Sequence, residues 1–380
     1  MHIVFVGLSG VPYLGRACDP RLSNTANILT ADADVTIVNR YSSSCRSTMS
    51  GIDLSPKVST VELLSRRHTG RLLSALLFFV SVLIEPYRLV ALNRKNKIHW
   101  LHIYSGHYFD FLWYRMISRL IGAKVVYQYV EYRTEKGSRG LYHNVNSRLC
   151  DFHGAKLWDA CISISNFLEQ SAKRINPDLP ILKVTPIADF NVFDANEVDI
   201  DVEEEYVMFC GSASYFEVIR FIADSYRASS ICKSKRLLLV LGGNDTQVQA
   251  VKDYIPEAII LRKLPYEKLV AYYKHAYALL IPLRNTIEDI ARFPNKICEY
   301  TAAHGLIVTT NIGEMQYYFR DGENAVVADE YSVQAYAKCL DSLASADYDI
   351  DTIKANSYAT GLKFFSKEAY KDKLYSFLNQ

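Results

Sequence analysis

The chain has 380 residues, 49% of them hydrophobic and 22% charged, enough for two domains that each build a core. Lys and Arg number 43 against 41 Asp and Glu, a formal charge of +2, which excludes the global basic field of a nucleic-acid binder. The eight cysteines are scattered and form no C-x-x-C pair, so they read as reduced core thiols and not as a zinc site or disulfide framework.

Taken in chain order, MHIVFVGLSG opens as a buried strand followed by a glycine-rich loop, Gly7, Ser9 and Gly10. It lacks the basic and long apolar regions of a signal peptide and points to the cytoplasm. The loop has the form G-x-x-G and not the full G-x-G-x-x-G of a dinucleotide site, which argues against an NAD-dependent oxidoreductase. Further runs rich in Val, Ile and Leu lie at 35–40, 98–104, 124–130 and 160–165. Runs apolar on both faces and separated by helix-length stretches predict a doubly wound parallel sheet.

The apolar run from Leu72 to Ile84 is interrupted by Glu85 and Pro86 and is shorter than the roughly 20 residues that span a bilayer. It is expected to form a helix buried on the sheet. The alternative is a helix lying on a membrane surface, flanked by Arg66, Arg67 and Arg71 before it and Arg94, Lys95 and Lys97 after it.

Residues 194–205 are acidic and polar, as a segment between domains would be. A second series of apolar runs follows at 206–211, 236–243, 258–264, 277–282, 306–311 and 324–329. The expected architecture is therefore α/β, with two Rossmann-like doubly wound domains, 1–190 and 191–360, facing a central cleft. The last segment, 361–380, spaces Phe364, Phe365, Tyr370, Leu374 and Phe377 at helical intervals. It is expected to be an amphipathic closing helix that packs back on the N-terminal domain.

The stretch from Arg292 to Ala328 carries the most chemistry. Pro294 suits the first turn of a helix running to about His304, with Gly305 in the left-handed position after it. The free N–H groups at such a helix start suit phosphate, with Arg292 and Lys296 adding positive charge. Glu299, one turn in, has the chemistry to accept hydrogen bonds from ribose hydroxyls. The residues alone leave open that Lys296 and Glu299 are ordinary solvated helix charges.

This block, a Pro-x-Lys-x-x-Glu helix followed by small residues, Gly and a strand, resembles the nucleotide-sugar-binding segment of family 4 glycosyltransferases (glycosyl transferases group 1). So do 19–29 with the strand after it, and ACISISNFLEQ (160–170) followed by VTPIADFNVF (184–193). The resemblance touches most of the chain and implies a GT-B fold. It implies that Glu299 contacts the donor ribose and that the backbone of Asn295, Lys296 and Ile297 meets the diphosphate. It also implies retaining transfer of a hexose, with a nucleotide sugar as co-substrate and no tightly bound cofactor. The acceptor would be a glycan or lipid-linked glycan, in surface polysaccharide synthesis, and the apolar run with its basic flanks would suit peripheral membrane contact through 66–97. No nucleic-acid partner is expected, and neither Asp-x-Asp nor His-Glu-x-x-His is present to hold a metal.

The chain departs from the family pattern in three places. Ala291 stands where relatives often carry a first glutamate, eight positions before Glu299. The loop GSASYFE (211–217), with Gly211 and Ser212 as donor contacts, lacks the basic residue that often follows. In the first domain Val130 occupies the place of a frequent strand-end histidine. Glu131 beside it and His107 are the catalytic candidates, each with a plain reading as an exposed strand-end glutamate or a structural histidine. The departures keep a second reading in view, a non-catalytic GT-B-like protein that binds a sugar nucleotide or a partner.

Overall fold

The computed structural model describes residues 1–10, 19–41, 54–64, 71–134, 140–344 and 348–380. Cys18, Cys45, Arg66 and Arg67 lie outside the described residues, as does the side chain of Arg71. The chain divides into two compact units: Met1–Thr185 with Tyr370–Gln380, and Pro186–Ala369.

The N-terminal unit is built on a seven-stranded parallel sheet. Its strands are β1 (His2–Leu8), β2 (Asp34–Tyr41), β3 (Val58–Leu64), β4 (Trp100–Ile103), β5 (Lys124–Tyr129), β6 (Ala160–Ser163) and β7 (Ile181–Lys183), in the order β3-β2-β1-β4-β5-β6-β7. Helices α1 (Asp19–Leu29), α2 (Arg71–Lys95), α3 (Tyr108–Ile121), α4 (Leu141–His153) and α5 (Asn166–Ile175) connect them. Ile3, Val4, Phe5 and Val6 are all fully buried, because a central strand of a parallel sheet is covered on both faces. The two strands absent from the sequence reading are at the edges. β3 (VSTVELL) has one buried residue and interrupts its apolar residues with the exposed Ser59, Thr60 and Glu62, and β7 is only three residues long.

The structure corrects the reading of 72–84 on two counts. The helix does not stop at Glu85 and Pro86 but runs 25 residues, and its Leu76–Lys95 portion is long and apolar enough to cross a membrane by length and composition. Glu85 does not break it because its carboxylate is buried against Arg40 Nε (3.2 Å) and the Tyr114 hydroxyl (2.6 Å). Nor is the helix simply buried: Ser81, Val82, Glu85 and Leu89 face inward, while Leu76, Phe79, Leu83 and Tyr87 are exposed.

The C-terminal unit holds a six-stranded parallel sheet of β8 (Tyr206–Ser212), β9 (Arg236–Gly242), β10 (Ile259–Leu261), β11 (Ala278–Ile281), β12 (Ile307–Thr310) and β13 (Val326–Ala328). The order is β10-β9-β8-β11-β12-β13. Its helices are α6 (Phe190–Asp194), α7 (Phe216–Ala228), α8 (Asp245–Tyr254), α9 (Tyr266–His275) and α10 (Ile287–Ala291). They continue with α11 (Lys296–Ala302), α12 (Met315–Tyr318), α13 (Val333–Ala344) and α14 (Ile350–Phe365).

The closing segment is two helices and not one. α14 ends at Phe365, where Ser366 turns extended, and α15 (Lys371–Leu378) follows as part of the N-terminal unit. There the Leu378 carbonyl accepts from Trp100 Nε1 at 2.6 Å and the Gln380 carbonyl from Lys124 Nζ at 3.0 Å. Of the described cysteines, Cys150, Cys161 and Cys298 are buried, whereas Cys210, Cys232 and Cys339 are only partly so.

Candidate functional site

In each sheet the chain reverses direction of winding once, between β1 and β4 and between β8 and β11. Ligands of open α/β sheets bind beyond the carboxyl ends of the strands at such points. In the C-terminal unit this places Gly211 and Ser212, at the end of β8, beside the segment that follows β11. Ser212 Oγ lies 2.8 Å from Ser214 Oγ and accepts from the Ser214 N–H at 3.2 Å, while the Ala213 N–H donates to the Gly242 carbonyl at 2.8 Å. Gly211 has no room for a side chain: a Cβ there would meet the Phe209 ring at 2.6 Å.

The loop without a basic residue of its own receives one from across the switch point. Arg292 lies over the Tyr215 ring, 5.0 Å from its centroid, and Nη1 donates to the Tyr215 hydroxyl at 3.1 Å. Asp289 holds Arg292 from the other side through Nη2 and holds Arg284 through Nε at 2.8 Å. Burial opposes ionisation of Asp289, but the two arginines outweigh it and keep its carboxyl below the ordinary value. Arg292 Nε is buried with no hydrogen-bond partner among the described residues, while its two terminal nitrogens meet Tyr215 and Asp289.

One turn along, Lys296 Nζ and Glu299 Oε2 pair at 2.6 Å, with Glu299 only 7% exposed. Burial works against the Lys296 ammonium, yet Glu299 and the Cys210 thiol together hold its pKa above the usual value. The Tyr273 ring lies 5.6 Å under Lys296, and the Tyr300 hydroxyl accepts from the Cys210 N–H at 3.2 Å. Lys296 and Glu299 are thus paired with each other inside the unit and are not freely solvated helix charges.

The helix itself is shorter than the sequence suggests. It begins at Lys296, two residues after Pro294, and the Ile297 N–H donates to the Pro294 carbonyl at 3.2 Å. Its end also differs. The left-handed residue is His304 (φ 54°) and not Gly305. Gly305 is required for close approach, since a Cβ there would meet Leu279 Cδ1 at 2.3 Å and the Tyr300 carbonyl at 2.9 Å.

In the N-terminal unit the loop after β1 also sits at a switch point. Between Phe5 and Leu8 the register against β2 slips by one residue, and Gly7 takes φ 80° with room for no more than hydrogen against Ser105. Gly10, at φ 64°, donates its N–H to the Tyr41 carbonyl at 2.8 Å, with Ser9 between them. His107 is exposed at the start of α3, with its Nδ1 at 3.4 Å from the Tyr142 hydroxyl. Glu131 is half-buried after β5 and interacts with Arg133, whose guanidinium lies against Gly106. Arg133 therefore links the loops that carry the two candidates.

Tyr215, Asp289 and Arg133 are the residues the sequence reading missed. Asp289 had a signal: Thr286 caps α10 by accepting from the Asp289 N–H at 3.3 Å, the Thr-x-x-Asp form of a helix start. Among the described residues no group of three His, Cys, Asp or Glu side chains is arranged to hold a metal ion.

This geometry sits in a recognisable frame. Residues 204–346, most of the C-terminal unit, match the model of the family described as Glycosyl transferases group 1. Across the whole chain the fold is that of solved GT-B glycosyltransferases, and the protein is a glycosyltransferase.

Sucrose-phosphate synthase from Thermosynechococcus elongatus aligns over 100% of this chain and 98% of its own, with a TM-score of 0.77 and 14% identity. HepE of Anabaena, solved with UDP and glucose, aligns over 100% and 99% with a TM-score of 0.74 and 13% identity. The lipopolysaccharide outer core galactosyltransferase WaaB, in its apo form, aligns over 99% of both chains with a TM-score of 0.62 and 12% identity. No curated protein sequence matches the chain.

Proposed function

We propose that the protein transfers a hexose, with retention of configuration, from a nucleotide sugar to a glycan or lipid-linked glycan in surface polysaccharide synthesis. The observation that carries the donor side is Arg292, oriented by Asp289 and Tyr215, with a buried Nε lacking a partner among the described residues. A guanidinium so placed matches a diphosphate, and charge-assisted bonds to phosphate oxygens stabilise both the bound donor and the departing nucleotide. Gly211 and Ser212 supply close backbone approach, and Asn295, Lys296 and Ile297 the start of α11.

Glu299 then takes the ribose hydroxyls, and the Lys296 pair fixes its carboxylate. The acceptor is served by the N-terminal unit, through Gly7, Ser9 and Gly10, with Glu131 or His107 orienting the attacking hydroxyl. No tightly bound cofactor takes part. The enzyme works in the cytoplasm, in peripheral contact with the membrane through 66–97. HepE has been solved with UDP-glucose and with UDP, so uridine nucleotides are the first donors to test.

A thermal-shift screen against UDP, GDP, ADP, dTDP and CMP sugars tests this reading. One nucleotide is expected to stabilise the wild type selectively. A well-folded sample that no sugar nucleotide stabilises would refute it. Ala291, in place of the family's first glutamate, favours a second reading, a protein that binds the donor without turning it over. Donor binding with no transfer to any of a broad acceptor panel would select that reading.

A further inference from the structure

Helices that cover a sheet normally turn an apolar stripe inward and a polar face outward. In the N-terminal unit α2, α3 and α4 carry a second apolar stripe, on the outside. On α2 it runs through Leu76, Phe79, Leu83 and Tyr87. On α3 it runs through Phe109, Leu112, Met116 and Leu120, and on α4 through Tyr142, Val145 and Phe152. Steps of three, four and seven keep each set on one face of its helix. These are not grazing exposures: Leu83 is 66% exposed and Leu120 71%.

The three helices are neighbours. Tyr114 on α3 bonds Glu85 on α2 at 2.6 Å, and Asn146 on α4 accepts from the N–H of Tyr108 at the start of α3 at 2.9 Å. Their charges are sorted by side. The only acidic residues on them, Glu85, Asp110 and Asp151, are all buried. Arg88, Arg94, Lys95, Arg119 and Arg148 are all exposed.

We propose that this outer face of α2, α3 and α4 docks on an anionic lipid bilayer, with the helices lying in the interface. It deepens the membrane contact proposed above, from one segment to a three-helix surface. Apolar stripes rimmed by basic residues, with Tyr87 and Trp113 among them, have the composition of an interfacial surface. A second copy of the chain fits the charges less well. A two-fold contact sets the same patch against itself, which would bring the basic residues of one copy to those of the other. Nor does α2 cross the bilayer. Glu85, inside its apolar stretch, is paired with Arg40 on β2, and leaving the sheet would strip both charges of their partner.

Trp113 provides a native reporter. The chain has three tryptophans; Trp100 and Trp158 are buried, while Trp113 on α3 is half-exposed and stacks on Phe109 with centroids 6.0 Å apart. Full-length protein is titrated with phosphatidylcholine vesicles with and without phosphatidylglycerol, following tryptophan emission and flotation, without donor or acceptor. A failure here therefore leaves the donor site standing, and the reverse.

Binding and a blue shift are expected only with phosphatidylglycerol, weakening as salt rises. Leu83→Glu with Met116→Glu, both at exposed positions, is expected to weaken binding by at least about tenfold at unchanged Tm. Arg88→Gln and Arg119→Gln are each expected to cost about fivefold. No binding to either vesicle, or equal binding to both, overturns the proposal. So does a sedimenting dimer that the Leu83→Glu/Met116→Glu variant disperses without any vesicle binding.

Discussion

Arg292 donates to the Tyr215 hydroxyl at 3.1 Å while its guanidinium covers the Tyr215 ring. This contact brings a cation to a loop whose own sequence has none. Arg292→Gln removes the charge and is expected to weaken nucleotide binding about 10- to 100-fold, the range of hydrogen bonds to charged groups. Tyr215→Phe keeps the ring and loses one bond, so its effect is expected to be smaller than that of Tyr215→Ala. Calorimetric titration of the three variants with the stabilising nucleotide checks the order.

Asp289 is the shared anchor of Arg284 and Arg292. Its carboxyl titrates below its unfolded value of 3.8, so the folded state holds the proton less tightly than the unfolded one. The stability it contributes is complete above 3.8 and is lost as the pH falls through the folded value. Asp289→Asn should therefore be less stable than wild type at neutral pH, with the gap closing on acidification. Urea midpoints measured for both proteins across that range test the sign.

His102 reports in the other unit. It is fully buried between β1 and β5; the Gln128 amide nitrogen donates to its Nε2 at 3.2 Å and the Gln128 oxygen accepts from Arg21 at 2.8 Å. Burial is the main cause that brings its pKa from 6.5 down to about 3, with the Arg21 charge acting in the same direction. The unfolded chain then binds a proton that the folded one refuses, so this stability is present above 6.5 and declines as the pH falls toward 3. The slope for one such group is about 1.4 kcal/mol per pH unit. Denaturant titrations of His102→Gln should lack this part of the decline.

Glu85 is expected to be among the most sensitive positions of the N-terminal unit. It bonds Arg40 and Tyr114 at the centre of α2, and Arg40 also bonds Asp110 at 2.8 Å. Removing one partner of a buried ion pair costs about 3–5 kcal/mol. Glu85→Ala is expected to fall in that range by chemical denaturation, and Tyr114→Phe nearer 1–2 kcal/mol, about the cost of one unsatisfied buried group.

Much of the fold was legible because burial on both faces leaves a plain mark. HIVFVGL and RLLLVLG are mostly apolar runs, and they became the interior strands β1 and β9. β3 was not legible, since this edge strand breaks its apolar residues with Ser59, Thr60 and Glu62 and carries no such run. The placement of the candidate residues was legible where a residue type is tied to its position. Glu299 is one turn into α11, and Gly7 and Gly211 lie where a side chain would collide. It was illegible where the partner is distant in sequence. Nothing local pairs Tyr215 with Arg292, and His304, not the adjacent glycine, takes the left-handed turn because Gly305 is needed against Leu279. The apolar segment 72–84 was misread because composition does not say which face of a helix is covered.

The central claim is that the C-terminal unit binds a nucleoside diphosphate sugar through Arg292 and Glu299. The most direct test is isothermal titration of the nucleotide selected by the stability screen into wild type, Arg292→Gln and Glu299→Ala, each shown to be folded. The account predicts one site per chain in the wild type, with affinity reduced at least about tenfold in each variant. Wild-type affinity in both variants would contradict it and move the donor site elsewhere on the chain.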